Sequence, residues 1–232
     1  MKNAVLMASG MGTRMRPLTN HTPKPLIEVC GKPMIETIID GLCQAGVNNI
    51  YIVTGFLREK FNYLVDKYPQ VTLIENTDYE TVNNISSIYA AREQLGQADC
   101  FICEADLYVS DTTIFSYDLT DSCYYGRMVE GHSDDWVFEQ DESGVITRVG
   151  KIGDDCYNMV GVAFFKQREA SIIADAITQR YRTDGYEDLF WDDVVNECLD
   201  KLQLTIQPVS GEQIVEIDTV DELEEVNRRF NK

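Results

Sequence analysis

Apolar residues come in short bursts along this chain, and the spacing within the bursts alternates between two periods. Runs at Asn3–Ala8, Ile50–Thr54, Val71–Glu75 and Cys100–Glu104 have the length and continuity of buried strands. Between them the spacing becomes helical: Ile35, Ile38, Ile39 and Leu42 share one face of a segment from about Pro33 to Ala45, and helices are predicted near Arg58–Tyr68 and Ser86–Leu95. Strand-then-helix units of this length imply a parallel sheet with helices on both faces. Beyond Glu104 the style changes. Cys123–Glu130, Trp136–Glu139, Val145–Val149 and Met159–Phe165 read as strands without intervening helices, a mixed or antiparallel extension. Helices return at Arg168–Arg182, Asp188–Leu202 and Val220–Phe230.

No internal repeat, low-complexity tract or linker interrupts this order. The expectation is one continuous α/β domain over residues 1–232. Its core is a Rossmann-like mixed, mostly parallel central sheet flanked by helices, and residues from about 120 to 167 form a small strand-rich elaboration on the substrate side.

The connection after the first strand carries the chemistry. It reads Ala8, Ser9, Gly10, Met11, Gly12, Thr13, Arg14, Met15, Arg16, Pro17, Leu18, Thr19, then Thr22, Pro23, Lys24, Pro25, Leu26. Glycines allow positive φ and close backbone approach, successive N–H groups can form an anion-binding nest, and Arg14, Arg16 and Lys24 supply charge. A glycine pair after a strand is often only a turn. This loop is too long and too cationic for that, with two prolines around its lysine. It is not a dinucleotide fingerprint, since Met15 stands at the third glycine position and Pro17 blocks an immediate helix, and no GK[ST] follows to make a Walker loop.

Ligands of open parallel sheets sit at the carboxyl ends of the strands. Glu104 and Asp106 close the Cys100 strand and point to one side, and Glu216 and Asp218 close the apolar segment Ile214–Ile217 in the same way. Mg²⁺ takes one or two protein carboxylates together with substrate phosphates, so two strand-end aspartates suit a metal–nucleotide complex. Asp218 serves equally well as the N-cap of the last helix, and Asp106 also fits an ordinary loop.

Charge and cysteine content narrow the partners. A formal net charge of −19 repels nucleic acid and anionic membrane, yet leaves room for a small nucleotide held by local cations and for a cationic substrate group. Met1–Ala8 has one cation and a brief apolar run, unlike an export signal, and no stretch is long enough to span a bilayer. The 7 cysteines lie among apolar neighbours, a reduced pattern that points to the cytoplasm. Cys100 and Cys103 read as a CxxC pair only superficially, because residues three apart on a strand face opposite ways. His21 and His132 are too few to support a zinc site.

The segment GMGTRMRPLT followed by PKPL resembles the signature loop of the nucleotidyltransferases that make nucleoside diphosphate sugars and CDP-alcohols. The short chain, the segment Asn83–Tyr89 (NNISSIY) and Asp188–Asp192 (DLFWD) are most similar to the bacterial CTP:phosphocholine cytidylyltransferases. The likeness runs along nearly the whole chain and is strongest in its first third. It implies transfer of CMP from CTP to phosphocholine, with Mg²⁺ as cofactor and pyrophosphate as the second product. Asp106 and Asp218 would hold the metal, and Asp106 would also meet the nucleotide. Arg14 and Lys24 would be the catalytic cations, Arg14 on the β and γ phosphates, and Lys24 bridging the α-phosphate and the acceptor phosphate. Ala8, Ser9 and Gly10 would meet the base through their backbone, Met11, Gly12 and Thr13 would continue the nucleotide loop, and Asn84 and Ser87 would complete it. Ser9 departs from the more usual Ala or Gly, but a small residue still fits. Lys151 stands where sugar-nucleotide enzymes carry a lysine within Glu-Lys-Pro, but here it reads Gly150, Lys151, Ile152, which weakens a sugar-phosphate reading.

Such a reaction needs no nucleophilic side chain. A phosphate monoester is mostly dianionic at neutral pH, so its oxygen can attack the α-phosphorus without a general base. Positioning and charge compensation do the rest. For the acceptor's tail, Trp136, Asp188 and Trp191 are the candidates, with Asp192 on the same helical face as Asp188 and Trp191. Trp191 also forms an apolar stripe with Val195, Leu199 and Leu202 and fits the core equally well. Phosphoethanolamine, 2-aminoethylphosphonate and a sugar 1-phosphate are the alternative acceptors, and a nucleotide-binding regulatory module is the non-enzymatic alternative. A primary ammonium calls for hydrogen-bond acceptors rather than an aromatic cage, which separates the acceptors structurally.

Overall fold

In the computed structural model, which describes residues 1–230, the chain opens with β1 (Lys2–Ala8). A loop of 3₁₀ turns then leads to β2 (Glu28–Val29), β3 (Lys32–Pro33), α1 (Met34–Gln44), β4 (Asn49–Thr54), α2 (Asn62–Lys67) and β5 (Val71–Glu75). Next come α3 (Ile85–Ala90), α4 (Arg92–Leu95), β6 (Asp99–Glu104), β7 (Leu107–Val109) and a long hairpin of β8 (Ser122–Gln140) and β9 (Ile146–Phe165). The last elements are α5 (Gln167–Arg180), α6 (Trp191–Glu197), β10 (Leu204–Pro208), β11 (Ile214–Glu216) and α7 (Val220–Phe230).

Seven strands form one sheet in the order β10-β8-β9-β6-β1-β4-β5. β6, β1, β4 and β5 run parallel, as strand–helix alternation requires, and β9 pairs antiparallel to β6 and opens the mixed half. The period of two decides which core each side chain joins. Ala4, Leu6, Phe101 and Cys103 pack with Ile38, Leu42 and Phe61 on one face. Val5, Cys100 and Ile102 pack with Ile85, Ile88 and Ile173 on the other. Cys100 and Cys103 are therefore free core thiols on opposite faces. A third, smaller core joins Met15 of the glycine loop to Ile217, Leu223 and Val226, so α7 clamps that loop from below. Among the described residues no helix is long and apolar enough to cross a membrane.

The four strands expected in the middle are two. β8 has 19 residues and β9 has 20, paired throughout with register shifts around Val129–Trp136. The polar stretch Glu130–Asp135 lacks the alternation that marks a strand, yet His132 and Ser133 pair with Asp154 and Gly153 of β9, and all its side chains but that of Ser133 are exposed. Helices are shorter than their apolar periodicity suggests. The segment expected as one helix over Ser86–Leu95 breaks at Ala91, whose φ of −96° and ψ of 10° open a turn. That expected over Asp188–Leu202 keeps only α6, between 3₁₀ turns at Tyr186–Asp188 and Leu199–Lys201. β10, unmarked by length, is an edge strand beside β8 that ends on Pro208.

Asp99 at the start of β6 fixes the entry to α5. It accepts from Lys166 Nζ at 2.7 Å and from the Gln167 backbone N–H at 2.9 Å. Burial pushes this carboxyl up, but the two bonds and the ammonium outweigh it and hold it below its ordinary value. Its folded pKa is thus lower than its unfolded one, so its stabilisation is present above about pH 4 and is lost as pH falls through the folded value. Asp99→Asn is expected to be less stable than the parent at pH 7, and the gap to close in acid, as read by urea denaturation over a pH series.

Candidate active site

The glycine loop is held in shape by sequence rather than left free. Gly12 adopts a φ of 58°, its carbonyl accepts the Thr19 hydroxyl at 2.8 Å, and Met15 is fully buried beneath it. A Cβ on Gly12 would stand 2.8 Å from Lys24 Cβ and 3.1 Å from Thr19 Cγ2, so only glycine fits. Lys24, carried on a 3₁₀ turn, is thereby pressed inward to 7% exposure.

Its ammonium sits between two carboxylates, 2.6 Å from Asp106 Oδ2 and 2.6 Å from Asp218 Oδ1. Burial works against that charge, but Asp106 and Asp218 more than offset it and raise the lysine's pKa. Arg14, reaching in from solvent, meets the same Asp218 oxygen at 2.7 Å. The two aspartates are brought together by β7 and β11, which pair antiparallel just after Asp106 and just before Asp218, with the Ile217 N–H donating to the Asp106 carbonyl at 3.2 Å. Asp218 does not cap α7; Thr219 does, accepting from the Glu222 N–H while the Glu222 carboxylate accepts from the Asp218 and Thr219 N–H groups.

Glu104 and Glu216 complete an acidic floor. Oxygens of Glu104, Asp106 and Glu216 lie within 4.8 Å of one another. Gly161, at a φ of 73°, leaves the space Glu104 needs, since a Cβ there would be 2.9 Å from Glu104 Oε2. Both glutamates are pushed above the usual carboxylate range, first by their depth in the protein and then by neighbouring carboxylates. Glu216 is exposed on the cavity wall. Asp106 Oδ1 is buried with no hydrogen-bond partner among the described residues. A hard divalent cation fits this donor set, which offers carboxylate oxygens and an open lone pair. Of the two aspartates expected to hold a metal, Asp106 belongs to this close group, while Asp218 is turned to Lys24 and Arg14.

Two adjoining cavities of about 490 and 440 Å³ share Met7, Gly10, Arg14, Asn83, Asp106 and Asp218 in their walls. Their walls gather Ala8, Ser9, Gly10, Gly12, Thr13, Arg14, Lys24, Asn84, Ser87, Asp106, Trp136 and Asp218 from the sequence-predicted set. Ser9 Oγ and Ser87 Oγ lie 2.7 Å apart, and Asn76, a hub the sequence did not flag, donates to Ser9 Oγ at 3.2 Å and to Ser86 Oγ at 2.8 Å. Met11 points out to solvent and is not part of either wall.

The opposite end departs from expectation. Trp191 is 3% exposed and stacks on Tyr124 with ring centroids 5.8 Å apart, so it is core. The Asp188 side chain is exposed outside both walls, and its carbonyl accepts from Asn83. The helix begins only at Trp191, after a 3₁₀ turn and two extended residues, so Asp188, Trp191 and Asp192 do not share a face, and Phe190 and Asp192 line the cavity instead. Phe190 meets Trp136 edge to face with centroids 5.3 Å apart, and Lys151 Nζ lies over both rings, 4.8 Å from Phe190 and 5.5 Å from Trp136. Lys151 thus lies over two rings of this end of the cavity, without the motif that sugar-nucleotide enzymes place around it. Asp192 is fully buried, and that burial pushes its carboxyl up to about 7 although the Tyr124 hydroxyl donates to it at 3.0 Å.

A glycine-rich loop with inward-turned cations and strand-end carboxylates on a mostly parallel sheet are the arrangement of a nucleotide-transferring enzyme. The chain belongs to the nucleotidyltransferase family, whose model, Nucleotidyl transferase, matches residues 3–138. It is 53% identical over 221 residues to a 2-aminoethylphosphonate cytidylyltransferase of Lancefieldella rimae, covering 95% of this chain and 90% of that protein. It is 34% identical to a choline-phosphate cytidylyltransferase of Streptococcus pneumoniae, covering 98% and 99%. The solved structure of a CTP:phosphocholine cytidylyltransferase from Streptococcus pneumoniae superposes with a TM-score of 0.91 at 32% identity, covering 98% of each chain.

Gly12→Ala is expected to displace Lys24 and to weaken nucleoside triphosphate binding by about tenfold, the size of one lost charge-assisted contact. Calorimetric titration against the parent protein checks it, and Met11→Ala, in the same loop but pointing outward, is the comparison expected to bind as the parent does.

Proposed function

We propose that this protein is a Mg²⁺-dependent cytidylyltransferase that transfers CMP from CTP to a small phosphonate or phosphate bearing a primary ammonium, with 2-aminoethylphosphonate as the leading acceptor. The observation that carries the choice of acceptor is the character of the cavity end: its wall carries the carboxylates Asp135, Asp192 and Glu216, and Lys151 already lies over the Trp136–Phe190 pair. A primary ammonium has three N–H donors to place on carboxylates, whereas a quaternary one has none and needs open aromatic faces. The 53% relative supports the same acceptor. Phosphocholine is the second reading, favoured by the aromatic pair itself and by the 34% relative.

In this reading the acceptor's phosphorus-bound oxygen attacks the α-phosphorus of CTP, a P–O bond forms, and the bond to the β-phosphate breaks to release pyrophosphate. Two anions must approach in line, and the cations of the loop lower their repulsion. Arg14 neutralises the departing pyrophosphate. Lys24 moves from its aspartates to the α-phosphate and acceptor oxygens. Mg²⁺ held by Asp106 and its acidic neighbours would supply charge neutralisation on the phosphates. The base rests beside Ala8–Gly10 and Ser87, in a wall braced by Asn76.

Pyrophosphate release with Mg²⁺ and a matrix of nucleotides and acceptors tests the reading. CTP with 2-aminoethylphosphonate is expected to give the highest kcat/KM, with phosphocholine at least tenfold lower, and a preference for a sugar 1-phosphate overturns it. Asp106→Asn is expected to lose at least a hundredfold in Mg²⁺-dependent rate, measured in the same assay, and full retention of rate removes Asp106 from the metal site.

A further inference from the structure

Tyr124 lies on β8, is 1% exposed, and is walled by the rings of Phe138, Phe165 and Trp191. A buried tyrosine hydroxyl needs a partner, and a backbone carbonyl would serve at little cost. Tyr125, next along the strand, uses one, donating to the Ile114 carbonyl at 2.8 Å. Tyr124 instead donates to Asp192 Oδ1 at 3.0 Å, a carboxylate that is itself only 2% exposed. A buried carboxylate is expensive unless a cation joins it. Among the described residues no ion pair reaches Asp192: the cavity wall that it shares holds Glu104, Asp135 and Glu216, Asp193 follows it on α6, Arg14 of that wall is engaged by Asp218, and Lys151 lies over the rings of Phe190 and Trp136. One oxygen of Asp192 is held by Tyr124, and the other is left for a cation that a ligand brings.

We propose that Tyr124 is a positioning residue for acceptor choice, fixing one oxygen of Asp192 so that the other is presented to the acceptor's ammonium. The proposal rests on the cytidylyltransferase reading above and adds to it the device that aims the carboxylate. Tyr124 touches no substrate. It removes Oδ1 from competition and fixes the carboxylate plane, which leaves Oδ2 to the ammonium as a charge-assisted hydrogen bond. The core aromatics lock the tyrosine, so the aim of Asp192 is set by packing on β8 and β9 rather than by α6 alone.

The test compares acceptors that differ only in the cation. The kcat/KM ratio of 2-aminoethylphosphonate to n-propylphosphonate, which replaces the ammonium by a methyl group, is measured for the parent, Tyr124→Phe and Asp192→Asn. Phosphocholine and its uncharged carbon isostere 3,3-dimethylbutyl phosphate form a second pair. Because both members of a pair are assayed on one preparation, the ratio does not depend on the folded fraction. Tyr124→Phe is expected to compress the ratio by about tenfold, mostly through acceptor KM, with the KM for CTP held at the parent value; Asp192→Asn is expected to compress it at least as far. A ratio within twofold of the parent in Tyr124→Phe, with both acceptors falling in parallel, overturns the positioning role and leaves the function intact. Failure of the parent to use any of the four acceptors overturns the cytidylyltransferase reading and this proposal with it.

Discussion

The site is organised around one ammonium between two carboxylates. Lys24 arrives from the glycine loop, Asp106 from the end of β6, and Asp218 from the segment after β11, so three distant stretches of chain meet at a single charge. None of the three would stay buried alone, since an uncompensated lysine or aspartate in the interior costs several kcal/mol. The meeting is enforced by neutral structure: Gly12 yields the space, Met15 and α7 hold the loop from beneath, and β7 and β11 zip the two aspartates into register. The charge of this site is a by-product of how the fold closes its sheet.

Charge compensation also divides the cavity. Around Lys24 and Arg14 the cations balance the aspartates, and phosphate can exchange for carboxylate without leaving a bare charge. Toward Glu104, Glu216, Asp135 and Asp192 the wall is acidic, and Arg14, its one cation among the described lining residues, is held by Asp218. A nucleotide with its metal suits the first region, and a molecule with an anionic head and a cationic tail spans both. The net charge of −19 thus has a local counterpart inside the cavity.

Much of this was legible in the residues. The parallel half of the sheet follows from apolar runs whose two faces alternate, and the loop's phosphate role follows from Gly12, Arg14 and Lys24 together. Asp106 and Asp218 were visible because each ends an apolar segment. What stayed hidden depends on rotation and pairing. Trp191 and Phe190 are adjacent and equally apolar, so only the angle at which α6 begins tells which ring joins the core. Asn76 follows β5 with no motif around it, and its importance comes from Ser9, Ser86 and Ser87, none of which is near it in the nucleotide loop's own pattern. The irregular middle of β8 and β9 has polar residues where alternation would be needed, and only its partner strand makes it a strand. Tyr124 was hidden for the opposite reason, since on sequence it is one more apolar position in a buried run.

The β8–β9 hairpin has a consequence for how such a protein diversifies. Its register slips around Val129–Trp136, and it carries Trp136 and Lys151 on a part of the sheet that none of the parallel strands crosses. Residues there can be exchanged without repacking the parallel strands that carry the glycine loop. The fold therefore behaves as a fixed handle with an interchangeable bit: one half inherits its reaction from the sheet, and the other is free to acquire a new acceptor by small changes in a solvated ribbon.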